Sequence, residues 1–295
     1  MIVLLIIINC MPSIKKFRFQ PGHSRPTITD LQQWIKSQPQ SRKQITKQLA
    51  ELATCMQAEG KQSLLIIFQA LDAAGKDSTI AKVFRYCDPN GLTTTAFKTP
   101  SKLETQHDFM WRCYPHFPAA GRISLFNRSY YEETLIVRVH PRFLIQQGVE
   151  KKVNEKFWQQ RFDYINQVEA HLHHNGTQVV KFMLDVSKEE QQNRLIKRYA
   201  MSDKNWKFNI GDLKERRFWD DYQDCFDAML EHSSTKNAPW YVIPADDKEM
   251  MRILVATIVQ KRMQKMACQY PDLEPLSESD LALLDETIHA QPNNH

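Results

Sequence analysis

Residues Leu64–Ile80 read LLIIFQALDAAGKDSTI. The apolar run Leu64–Phe68 leads into a small-residue loop, Asp72-Ala73-Ala74-Gly75-Lys76, and then into a helix-like pattern. A buried strand that passes through such a loop into a helix presents backbone N–H groups to a phosphate, and Lys76 adds a positive charge. Ala74, Gly75, Lys76, Asp77 and Ser78 are therefore candidate phosphate contacts. The pattern departs twice from G-x-x-x-x-G-K-[ST]: Ala70 stands at the first glycine and Asp77 at the hydroxyl residue. The Ala70 methyl either narrows the loop or sits on a backbone angle that alanine adopts.

Further strand-like runs follow Ser63–Leu71 at Thr93–Phe97, Arg122–Asn127, Gln178–Val186 and Trp240–Pro244. Helical patterns separate them at Asp77–Cys87, Ser101–Phe117, Lys151–Asn175 and Leu213–Ser233. The alternation predicts an α/β fold, a three-layer α/β/α sandwich around a parallel sheet of about five strands. Right-handed crossovers bring the C-terminal ends of the strands to one edge, where ligands bind. The phosphate loop, Phe97–Ser101, Asn127–Tyr131 and Pro244–Asp247 are expected there. Two helices are expected over residues 30–60, and residues 12–30 read as an extended arm. One domain is expected over residues 27–270, after an arm through residue 26 and before a polar tail, 271–295, disordered at its end.

The chain has 295 residues, 42% hydrophobic and 25% charged, with a net charge of +5. This is ordinary globular composition, and the mild charge does not call for a nucleic-acid partner. The six cysteines form no C-x-x-C pair, which predicts free thiols and a cytoplasmic setting. The aliphatic run Ile2–Ile8 falls far short of the roughly 20 residues of a membrane span, so no membrane role is expected. Met11 is read as the true start, with a short added strand as the alternative.

Asp72 lies inside the loop, and a carboxylate among phosphates is repulsive unless a divalent cation lies between them. It is therefore a Mg²⁺ ligand, direct or through water, or a base that activates or orients the acceptor. Asp77 either assists or is a helix-first-turn acid. Asn127 stands where a Walker B strand carries its aspartate, and the following Arg128 suits bidentate phosphate contact. Glu132 either replaces the missing carboxylate or is a helix-start glutamate. Residues 187–217 are dense in cations, including Arg194 and Arg198, and read as a basic lid; on charge alone a solvated helix face is the simpler account. Asn209 with Asp212 resembles a capping box. Lys98 is a further candidate on a phosphate path. His171, His173 and His174 lack a partner at zinc-ligand spacing. Trp206, Phe208, Phe218, Trp219 and Tyr222 either stack a nucleobase or pack the lid.

The ordered set LDAAGKDSTI, FKTPS, HDFMWR, FNRSYYEETLIVRVHP, LDVSKEEQQNRLIKR, NWKFNIGDLKERRFWDDYQDCFDAML and APWYVIPADDK resembles the second family of polyphosphate kinases. The resemblance covers residues 27–265. It implies a P-loop kinase fold with a helical lid, and phosphoryl transfer between inorganic polyphosphate and nucleotides with Mg²⁺, Mn²⁺ being a substitute. It assigns phosphate binding and catalysis to Lys76 and Arg128, metal binding or acceptor activation to Asp72, and lid roles to Arg194 and Arg198. The N-R-S-x-Y-E form resembles the one-domain group that accepts nucleoside mono- and diphosphates, with Asn127, Tyr131 and Glu132 near the nucleotide. The metal set implied is Asp72, Asp77 and Glu132. A homo-oligomer, dimer or tetramer, is also implied. An ATP-dependent kinase and a non-catalytic polyanion binder are the competing readings.

Overall fold

In the computed structural model, residues 12–149 and 153–289 are described. The run Ile2–Ile8, Met11 and the end of the tail lie outside these residues. Five parallel strands form one sheet: β1 (Ser63–Gln69), β2 (Leu92–Ala96), β3 (Ile123–Asn127), β4 (Thr177–Asp185) and β5 (Trp240–Pro244), in the order β2-β3-β1-β4-β5.

The central place of β1 follows from its sequence, because every residue from Ser63 to Gln69 is buried. Successive side chains point to opposite faces. Leu64, Ile66 and Phe68 join one apolar layer, while Leu65 and Ile67 join the other. The first layer is closed by α1 (Ile28–Lys36), α2 (Arg42–Glu59), α3 (Lys76–Val83) and α8 (Lys248–Met266). The second is closed by α4 (Glu155–His174) and α7 (Trp219–Ser233). At one edge, β2 is Thr-rich and largely exposed, as a short edge strand tolerates.

Three local expectations are corrected. Ser101–Phe117 is not one helix. A single turn, Lys102–Thr105, is followed by a 3₁₀ segment, Trp111–His116. The Asp108 carboxylate accepts the Met110 N–H at 2.9 Å, and Pro115 has no N–H to continue an α-helix. Leu213–Ser233 is likewise broken, into α6 (Ile210–Glu215), a 3₁₀ turn Arg216–Phe218, and α7. The first described part of the arm is docked. Phe17 is buried, and the Phe19 N–H donates to the Trp240 carbonyl at 2.9 Å, beside an antiparallel bridge from Arg18 to Tyr241. The tail carries α9 (Glu278–His289), which has no buried residue.

The turn before β3 rests on Gly121, whose φ is +74° and whose N–H donates to the Gln62 carbonyl at 2.7 Å. An added Cβ would lie 3.2 Å from the Gln57 carbonyl and 3.3 Å from the Gly60 Cα. Gly121→Ala is expected to destabilise the fold by at least about 1–2 kcal/mol from the left-handed backbone alone, read as a lower urea midpoint with an unchanged slope.

Candidate active site

The loop after β1 leaves the strand at Ala70 and re-enters helical geometry at Gly75, the N-cap of α3, where φ is 110°. Lys76 folds back along the loop, donating to the carbonyls of Ala70 at 2.7 Å and Leu71 at 3.3 Å. Ala70 is not among the left-handed residues, so its methyl group meets no backbone objection. The strain sits at Ala73 instead, with φ of 65°. Ser78 donates to the Gly75 carbonyl and accepts from Arg252, while the buried Thr79 hydroxyl donates to the same Gly75 carbonyl.

The end of β3 faces this loop. Asn127 donates through Nδ2 to the Asp77 carboxylate, which directly joins the two positions where a P-loop would carry an aspartate and a hydroxyl. Arg128 takes φ of 63°, uncommon for a long side chain. Its N–H donates to the Phe68 carbonyl at 3.0 Å. Its guanidinium lies 2.6 Å from Asp72 and 3.7 Å from Glu132. Burial pushes the Asp72 carboxyl up, but Lys76, Arg128 and Arg198 outweigh it and hold the group below the usual range. Burial lowers the pKa of Lys76, with Arg128 adding to the effect. Burial raises that of Glu132, and Arg128 and Lys76 only partly offset this.

Helix α5 (Lys188–Ala200) crosses the loop. Gln191 donates to the Asp72 carbonyl at 3.0 Å. Arg194, expected on the phosphate path, instead uses its guanidinium on protein partners. It donates to the carbonyls of Ala74 at 2.8 Å, Ala245 at 2.6 Å and Asp246 at 2.9 Å, and pairs with Glu190 at 2.7 Å. It is a clamp on the back of the loop. Arg198 pairs with Asp212 at 2.9 Å. Asn209 caps α6 by accepting the Gly211 N–H, but Asp212 turns to Arg198 and makes no reciprocal box. Lys98 is exposed on the far rim.

Two crevices meet at Arg128, Glu132 and Ile136. The larger has apolar walls that include Phe97, Phe109 and Val137, with Arg112 and Lys98 at its rim. The smaller is lined by Asp72, Gln191, Asp212, Arg216 and Trp219. Tyr131 reaches neither. It is fully buried, and its hydroxyl donates to Glu169 at 2.9 Å, so the expected nucleotide contact is corrected to a core residue. Sequence reasoning missed Gln191, a neutral residue in a segment read chiefly for its cations, and carried Arg216 only as one of those cations. It also missed Lys181, whose signal was a lysine inside the apolar run VVKFML.

Among the described residues no three His, Cys, Asp or Glu side chains gather as a metal cluster; Asp77 is joined to Asn127, while Asp72 and Glu132 flank Arg128. Asp72 taken alone fits Mg²⁺: its carboxyl is held below the usual range, is partly exposed and lines the smaller crevice. Mg²⁺ needs only one or two protein carboxylates when phosphates and waters complete its shell.

Because Glu132 is harder to ionise in the folded chain than its ordinary value of 4.5, its charge opposes folding above the raised pKa and ceases to do so below 4.5. Glu132→Gln is expected to raise the denaturant midpoint at neutral pH, with the gain vanishing as the pH falls toward 4.5. Midpoints measured across that range check the sign.

The profile of the family described as Polyphosphate kinase 2 matches residues 34–271. An ADP-polyphosphate phosphotransferase of Rhodopseudomonas palustris is 44% identical over 244 residues, 82% of this chain and 84% of the relative. An AMP/ADP-polyphosphate phosphotransferase of Meiothermus ruber is 38% identical over 234 residues, 79% of this chain and 84% of the relative. The crystal structure of Polyphosphate Kinase 2 from Arthrobacter aurescens TC1 superposes with a TM-score of 0.81 at 34% identity, covering 94% of this chain and 98% of that one. The matched span takes in the sheet, the phosphate loop and both crevices, and the chain belongs to the Polyphosphate kinase 2 family.

Proposed function

We propose that this protein moves phosphoryl groups between inorganic polyphosphate and nucleotides, with AMP, ADP, GMP and GDP as acceptors. The observation that carries the reading is the meeting of two crevices at a single arginine, Arg128. Transfer between two phosphorylated substrates needs both phosphates held in line at one point of fixed positive charge. The larger crevice, with aromatic and aliphatic walls, suits a nucleoside. The smaller one opens beneath the basic segment 187–217, read as a lid, and suits the end of a polyanion that has no base to grip.

Phosphoryl transfer spreads charge over the equatorial oxygens, so catalysis rests on cations placed before the substrate arrives. Arg128 supplies a fork suited to those oxygens, aimed by Asp72 and Glu132. Lys76 needs only to release two loop carbonyls to reach a phosphate. The N-terminus of α3, Gly75 to Ser78, offers its free N–H groups to the same anion. Bound Mg²⁺, or Mn²⁺ in its place, would supply positive charge against the phosphates, with Asp72 as the residue best disposed to hold it and Asp77 nearby. Arg198, released from Asp212, is the cation that meets the chain. The resemblance adds a homo-oligomer, dimer or tetramer. A cytoplasmic setting is supported by the free thiols Cys55, Cys87, Cys113, Cys225 and Cys268. Among the described residues no helix is long and apolar enough to cross a membrane.

Purified protein with polyphosphate and Mg²⁺ is expected to phosphorylate AMP or ADP, and to stop when EDTA is added. Product formation with ATP as the sole effective donor would overturn the reading. Asp72→Asn is expected to lower kcat more than tenfold, with an unchanged circular dichroism spectrum. Arg198→Ala is expected to raise KM for polyphosphate and to flatten its dependence on salt, since one fewer counterion is exchanged. Steady-state kinetics at several ionic strengths measure both effects.

A further inference from the structure

Behind the site, on the α4 and α7 side of the sheet, lies a closed polar network among apolar residues. Lys181 on β4 is fully buried and uses all three ammonium protons. It donates to Glu169 of α4 at 2.7 Å, to the Tyr131 hydroxyl at 2.7 Å, and to the Ser233 carbonyl of α7 at 2.7 Å. The other oxygen of Glu169 accepts the hydroxyls of Tyr130 and Tyr131, each at 2.9 Å. Trp240 on β5 packs edge-on against Tyr131 and donates through its ring nitrogen to the Ser233 hydroxyl.

A buried ion pair of this kind is weak evidence for stability, because apolar residues of the same volume often hold a fold as well. It does fix orientation, since each partner has one arrangement that satisfies every donor. What it orients is the turn that begins at Arg128. Tyr130 and Tyr131 are the second and third residues after it. Ser129, between them and Arg128, is pinned separately: its hydroxyl accepts from the buried Gln69 side chain at 3.1 Å and from the Tyr131 N–H at 3.1 Å. Arg128 holds a left-handed backbone that a long side chain keeps only when its surroundings over-determine it.

We propose that the Lys181–Glu169–Tyr130–Tyr131 network is the positioning device for Arg128, holding its strained backbone so that the guanidinium stands at the junction of the two crevices. The inference rests on the reading of Arg128 as the group that contacts the transferred phosphate. Lys181, Glu169 and Tyr131 line neither crevice, and Tyr130, which lines the larger one, has its hydroxyl bound to Glu169; in this proposal the four act through the backbone of Arg128 and Ser129.

Tyr131→Phe tests this with the ring packing kept and one hydroxyl removed. Its kcat for ADP with polyphosphate and Mg²⁺ is expected to fall about tenfold, as misplacement of a reacting group does, with KM for ADP nearly unchanged. In an Arg128→Ala background the same substitution is expected to add nothing to the loss, since both changes act on one group. Additive losses, or a lowered unfolding midpoint with wild-type kcat, would overturn the proposal. Tyr130→Phe provides a second mild variant should Tyr131→Phe fold poorly. A crystal structure of the variant decides without any turnover: the guanidinium of Arg128 is expected to leave Asp72, and an unmoved Arg128 would refute the positioning role. An active Arg128→Ala protein would instead remove the functional reading of Arg128 itself, and the proposal with it.

Discussion

The site depends on one constraint, the fixed left-handed turn at Arg128. A β-strand that ran straight on from Asn127 would carry the next side chain past the crevice. The positive φ turns the chain so that Arg128 donates its N–H back to the neighbouring strand while its guanidinium lies between Asp72 and Glu132. Such a conformation disfavours any L-residue by about 1–2 kcal/mol. It is retained where the surroundings permit no other arrangement, and strained backbone of this sort gathers at functional sites.

The two layers of the sandwich divide the labour around that turn. The layer of α1, α2, α3 and α8 holds a continuous apolar cluster, with Thr46, Thr257 and Gln260 buried on its helices, and fixes β1, so that the phosphate loop leaves a rigid strand. The opposite layer admits charge, and it is the layer that backs Arg128. The loop is held from behind by Arg194, whose two terminal nitrogens donate to loop and β5-end carbonyls while Nε pairs with Glu190. With Arg194 so engaged, Arg198 is the arginine of α5 left nearer the smaller crevice.

Much of this was legible in the residues. Strand alternation and the apolar run Leu64–Phe68 led directly to the parallel sheet and to the edge where the loop and Arg128 meet, because burial on both faces leaves few other arrangements. Ala70 seemed a defect as a motif letter and is harmless as a backbone angle, since only its carbonyl is used. Tyr131 and Arg194 were misplaced for a common reason. Both belong to residue types that bind ligands and also satisfy buried partners, and a one-dimensional pattern does not say which way a side chain points. The break at Asp108 and Pro115 was visible in composition, yet helical spacing on either side masked it. Glu169 and Lys181 lie on different elements, so their pairing emerges only once α4 packs on β4.

The clamp made by Arg194 also says which part of the segment 187–217 is tied down. Gln191 and Arg194 bolt the first turns of α5 to the phosphate loop, so that end of the helix and the loop travel together. Beyond Arg198 the chain runs from Met201 to Lys207 without a buried residue. The segment is thus held at both ends and not in its middle. At the far end Glu215 meets His140 and the Tyr222 hydroxyl at 2.8 Å each, and Arg216 donates back to Gln191 at 2.6 Å. The Arg198–Asp212 pair spans the exposed stretch between those two anchors.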